Sequence, residues 1–124
     1  RLTKIPGCSS YFKGGVVAYH TQSKIDLLEV PDDIILKYSV VSEQVAEIMA
    51  KQVKAKYNTD VGIATTGNAG PLKGESDVEI GTVWIAIATN KGVVNKKFVF
   101  GKHRERVIGK AVNKALELVY KELI

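Results

Sequence analysis

Residues Ile80 to Thr89 constrain the fold more than any other stretch of this 124-residue chain. The run is almost wholly apolar and includes Val83, Trp84, Ile85 and Ile87. Side chains on a strand alternate between its two faces, so a strand apolar on both faces needs cover on both. It must therefore be central in its sheet, with helices above and below. Asn90-Lys91-Gly92 reads as a hairpin turn, and Val93 to Phe100 as the returning strand.

The covering helices are legible in the remaining pattern. Val45, Ile48, Met49 and Val53 recur at helical spacing, which predicts a helix from an N-cap at Ser42 to about Tyr57. Val107, Ile108, Ala111, Val112, Ala115, Val119 and Leu123 form one stripe on a long terminal helix. Thr21 can cap a short helix over residues 22–28, and Pro31 suits the first turn of another that ends near Tyr38. Lys13 to His20 reads as a strand entered through Gly14-Gly15, and Asp60 to Thr66 as a further short strand. These elements predict an α/β fold, a single domain over residues 1–124 with a mixed β-sheet flanked by helices. The opening Arg1-Leu2-Thr3-Lys4-Ile5-Pro6-Gly7 resembles the last turn of a helix. Further chain is expected before it, since the sequence does not start at methionine.

With 45% hydrophobic and 25% charged residues the chain has the composition of a globular protein. Cys8 is the single cysteine and has no metal-ligand cluster around it in sequence, so neither a disulfide nor a metal nor a cofactor is expected. No apolar run approaches the ~20 residues that a membrane span needs. A reducing, cytoplasmic setting is the expectation. The net charge of +5 favours an anionic ligand. Lys96, Lys97, Lys102, Arg104, Arg106 and Lys110 stand against one acid, Glu105, in the segment 96–110. A solvated basic face and an anion site fit this segment equally. Nucleic acid is the weaker partner, because basic and aromatic residues do not interleave.

Three local features could carry chemistry. Gly7-Cys8-Ser9-Ser10-Tyr11-Phe12 places two hydroxyls between a helix end and a strand. Tyr19-His20-Thr21-Gln22-Ser23-Lys24 places a phenol, an imidazole and an amine at a strand end. Thr65-Thr66-Gly67-Asn68-Ala69-Gly70-Pro71 is a glycine loop after a strand, where backbone N–H groups can approach a phosphate or oxyanion. Taken one at a time, these read as a turn, a core aromatic with a solvated lysine, and a surface loop.

Together and in this order they resemble the CinA C-terminal domain family, the nicotinamide-nucleotide amidases. The stretch Pro6 to Tyr19 with Lys24 five residues on carries the resemblance. So do Val41-Ser42-Glu43, Thr66-Gly67-Asn68-Ala69-Gly70-Pro71 and Gly81-Thr82-Val83-Trp84. The chain departs from the pattern at Cys8, at Val78-Glu79-Ile80 and at Lys102-His103-Arg104. The family's Glu-Ser-Cys-Thr-Gly-Gly motif would lie upstream of Arg1.

The resemblance implies hydrolysis of the carboxamide of nicotinamide mononucleotide (NMN) to nicotinic acid mononucleotide and ammonia. It implies Ser9 as nucleophile, with Tyr19 and Lys24 handling protons. An exposed lysine titrates near ~10.4, so a lysine base requires desolvation or a nearby cation. The resemblance further implies that Thr66, Gly67, Ala69 and Gly70 bind substrate or the oxyanion, and that Arg104 or Arg106 pairs with the 5′-phosphate. It leaves room for a homodimer. A non-catalytic nucleotide-binding or regulatory domain of the same fold is the competing expectation.

Overall fold

A computed structural model of the chain describes residue 4, residues 6–70 and residues 78–123. A 3₁₀ turn, Cys8–Ser10, is followed by two short helices, α1 (Thr21–Leu28) and α2 (Asp32–Tyr38), and then by α3 (Glu43–Tyr57). Strands β1 (Gly62–Gly67), β2 (Thr82–Thr89) and β3 (Gly92–Val99) precede the terminal helix α4 (Arg104–Leu123). Most of the helix end expected over residues 1–7 lies outside the described residues, as does Pro71.

The sheet has the order β1-β2-β3, so the apolar strand is central, as its composition requires. Trp84 pairs with Thr66 on one side and Lys97 on the other. Alternation then sorts the two cores. Val83, Ile85 and Ile87 pack with Val107, Ala115 and Leu118 under α4. Ala86 and Ala88 face α3, where Val45, Ala46, Met49 and Ala50 meet them. Small residues let this helix lie close: a Cβ on Gly62 would collide with the Ala50 carbonyl oxygen. Leu28 and Val30 extend that core towards α1 and α2.

Capping explains several boundaries. Ser42 Oγ accepts from the Val45 N–H at 3.2 Å, and Asn58 closes α3 in the left-handed region. At α1 the cap is His20, not Thr21, because the Nδ1 of His20 accepts from the Gln22 N–H at 3.3 Å. Pro31 stands at the N-cap of α2, one residue before the first helical turn.

The sheet departs from the mixed one expected from sequence, since both strand pairs are antiparallel. The segment Lys13 to His20 is the reason. It has the burial alternation of a strand, with Ala18 buried and Val17 and Tyr19 exposed, yet it joins no ladder. Side chains answer two of its carbonyls instead. Tyr57 donates its hydroxyl to Gly15 O at 3.1 Å, and Lys24 Nζ donates to Ala18 O at 2.8 Å.

Candidate active site

The C-terminal end of β1, the loop behind it and the segment 16–24 enclose a cavity of about 720 Å³. That volume lies within the range of small-molecule sites. Tyr19, Lys24, Thr66, Gly67, Ala69, Gly70 and Arg104 all line it. The cations Lys24 and Arg104 face it, and no carboxylate lines it among the described residues. It is therefore a site for a neutral or anionic ligand.

Lys24 is the only charged side chain among the buried described residues, at 7% exposure. It is a buried position of α1, which His20 caps, and its amine reaches back to the segment before the helix at Ala18. Ala18 O receives one of its protons. A buried ammonium needs such partners, since it has given up water. Tyr19 is 79% exposed and stands at the cavity mouth. Arg104 reaches it from the first turn of α4: one guanidinium nitrogen donates to Tyr19 Oη at 3.1 Å, and another to Gly70 O at 2.8 Å. The fork of the guanidinium thus ties the phenol to the glycine loop.

The loop is more committed than its glycine content suggests. The Asn68 N–H donates to Thr82 O at 2.9 Å, and the Gly70 N–H to Asn68 Oδ1 at 3.3 Å. Gly81 N–H in turn donates to Asn68 O. Of the N–H groups from Asn68 to Gly70, only that of Ala69 lacks a partner among the described residues, which makes it the loop's open donor. Thr66 is buried, and its hydroxyl donates to Val40 O at 2.8 Å. That bond fixes the end of β1 to the chain leading into α3, so Thr66 is part of the wall more than a donor to substrate.

Two expected site residues lie elsewhere. Ser9 is exposed on the turn Cys8–Ser10 and does not line the cavity. The turn is pinned at its own end, with Ser10 N and Oγ both donating to Gly7 O. Among the described residues no hydrogen bond links Ser9 to the cavity lining. Arg106 is also outside the cavity. Two residues on from Arg104 along a helix, it points to the opposite side. Sequence reasoning missed Asn68 and Gly81, whose backbone groups hold the loop against the start of β2. A glycine before an apolar strand was the available signal. The basic segment does not concentrate charge at the site either, because Lys96 and Lys97 project from opposite faces of β3.

A family model described as the CinA C-terminal domain matches residues 1–123. The chain belongs to the CinA C-terminal domain family. A "CinA-like protein" of Flavobacterium psychrophilum is 54% identical over 123 residues, which are 99% of this chain and 29% of the relative. A "CinA-like protein" of Cytophaga hutchinsonii is 38% identical over 98% of this chain and 29% of its own length. The chain thus spans under a third of these curated relatives. A crystal structure from Klebsiella pneumoniae, described as competence damage-inducible protein A, superposes with a TM-score of 0.93 at 30% identity. It covers 98% of this chain, which spans 76% of it. A CinA superfamily protein from Enterobacter cloacae gives a TM-score of 0.94 at 27% identity, over 99% of this chain and 73% of its own. No helix among the described residues is long and apolar enough to cross a membrane.

Proposed function

We propose that the cavity binds nicotinamide mononucleotide and that the site hydrolyses its carboxamide. The supporting observation is convergence. Tyr19 with Lys24, the glycine loop, and Arg104 come from three separate stretches of sequence and meet on one cavity. Amide hydrolysis needs an attacking oxygen, a group to take its proton, a donor for the departing nitrogen and a cradle for the oxyanion. Lys24, in its neutral form, takes the proton of the attacking oxygen. Tyr19 gives its proton to the leaving ammonia and recovers one from Lys24. The Ala69 N–H faces the developing oxyanion.

The resemblance made Ser9 the attacking group, and the geometry argues against that role. Among the described lining residues four carry hydroxyls, namely Tyr19, Thr21, Thr65 and Thr66, and none of these is a serine. Water is the simplest attacking oxygen in this cavity. With no carboxylate among its described lining residues, the cavity can admit the 5′-phosphate of a nucleotide.

Incubation with nicotinamide mononucleotide is the direct test. Ammonia and nicotinic acid mononucleotide should appear in equal amounts, and absence of both sinks the amidase reading. A second reading, a nucleotide-binding domain without catalysis, draws support from the displacement of Ser9. Saturable binding of the mononucleotide with no ammonia release would establish it.

A further inference from the structure

The helix that carries the buried amine of the candidate site has little packing of its own. α1 has eight residues, and only Lys24 and Leu28 among them are buried. One of these two is charged, so it gains little by leaving water. A helix this short is marginal on intrinsic propensity. Its two ends therefore contribute much of what fixes it.

The C-terminal end closes on Lys24 itself. The N–H groups of Glu29 and Val30 both donate to Lys24 O, the second at 3.2 Å. Glu29 does so at φ of 54°, in the left-handed region that a residue with a side chain enters at a cost. The N-terminal end closes on His20. Its backbone is extended, with φ of −87° and ψ of 146°. Its carbonyl accepts from the Ser23 N–H at 2.9 Å and from the Lys24 N–H at 3.3 Å. Its Nδ1 accepts from the Gln22 N–H at 3.3 Å. Helices prefer a short hydroxyl, carboxylate or carboxamide at this position, so an imidazole is an unusual acceptor here. The ring is exposed and borders the cavity, yet its Nδ1 lone pair is taken by the backbone. That nitrogen is not available to accept a proton from a ligand.

We propose that His20 is a positioning residue: as the N-cap of α1 it holds Lys24 in its buried place against Ala18 O. Tyr19 stands one residue before the cap and Lys24 four residues after it. The cap is thus the joint that sets the phenol against the amine. The catalytic role of Lys24 rests on the amidase reading, whereas its placement by His20 can be read without a substrate.

Acylation of lysine amines in the full-length protein, followed site by site by mass spectrometry, tests the placement. Lys51, with a side chain 58% exposed, is the internal reference. Lys24 should react far more slowly than Lys51 in the wild type. His20→Ala should raise the rate at Lys24 about fivefold relative to Lys51, the usual size of a lost cap. His20→Ser and His20→Asn restore a side-chain acceptor, and both should return that rate to within about twofold of wild type. Wild-type protection of Lys24 in His20→Ala would overturn the proposal. So would serine and asparagine variants as reactive as the alanine one. Should the alanine variant not fold, His20→Gln takes its place, because its longer side chain lies outside the set that caps helices. Equal protection in the glutamine and serine variants then counts against the cap. Ammonia release from nicotinamide mononucleotide gives the second readout. In His20→Ala, kcat should fall about threefold or more with KM within about twofold, and both cap-restoring variants should recover it. Loss of kcat in all three variants would make the imidazole itself a reacting group and overturn the positioning role. A wild type that releases no ammonia sinks the amidase reading, and the acylation rates still decide the placement of Lys24.

Discussion

Lys24 and Tyr19 line the cavity and Ser9 does not, and this difference decides what each substitution should do. Lys24→Met preserves the bulk of the stem and removes the amine. It should lower kcat for ammonia release by about 10²–10⁴-fold, the usual contribution of a positioned acid or base. Ser9→Ala should leave kcat within about twofold of wild type, since Ser9 is not among the cavity's described lining residues. Loss of activity in Ser9→Ala would restore the nucleophile that the family resemblance suggested. Arg104 spends two donors on the phenol and the loop. Arg104→Gln should therefore lower kcat about tenfold for the nucleotide and for nicotinamide riboside alike, a loss on the scale of one charged hydrogen bond. A KM effect confined to the nucleotide would return Arg104 to phosphate binding.

At the scale of elements, the joint between the glycine loop, β2 and the turn before α4 matters most. Gly81 sits there with φ of 92°, in the left-handed region, and Phe100 N–H donates to its carbonyl at 3.0 Å. An added Cβ would collide with the Gly101 carbonyl oxygen, which is backbone and cannot swing aside. Gly81→Ala should cost about 3 kcal/mol or more in unfolding free energy, from strain and overpacking together. A wild-type denaturation midpoint would contradict that. The exposed side of α4 behaves differently. Glu117 pairs with Lys114 at 3.2 Å and Lys121 at 3.3 Å, and hydrogen bonds from these lysines hold its carboxyl below the usual range. A carboxyl whose folded pKa is depressed adds stability above its unfolded pKa, and that contribution fades as pH falls through the folded value. The pairs are solvent-exposed, so Glu117→Gln should lower Tm slightly at neutral pH and low salt. The difference should vanish in molar salt and in strong acid.

For the whole molecule, a net charge of +5 and the Arg104 guanidinium on the cavity wall act together on a charged ligand. Long-range attraction of this kind is screened over about 10 Å at 0.1 M salt. Raising ionic strength should therefore raise KM for nicotinamide mononucleotide and leave KM for the riboside nearly unchanged. Parallel salt dependence for both substrates would show that charge has no part in capture. The layers that hold the cavity follow from burial on two faces. α3 and α4 each cover one side of β2, and neither covers the segment 13–19 on its outward side.

The chain's own sequence determined whatever depends on neighbours close in sequence or on a single period. The doubly apolar run could only become a central strand, Ser42 could start α3, and the stripe from Val107 to Leu123 could only face a sheet. The resemblance grouped Tyr19, Lys24, the glycine loop and Arg104, which line one cavity, although nothing in their spacing says that α4 returns to the end of β1. Tertiary structure decided the rest, because hydrogen bonds are exclusive. The loop amides that could have faced a ligand were taken by Thr82 and by Asn68 itself, and among the described residues no backbone hydrogen bond ties the strand-like stretch 13–19 to β1. Ser9 sits on the turn Cys8–Ser10, closed by its own backbone and outside the described cavity lining, although the resemblance links it with Tyr19 and Lys24 in one motif.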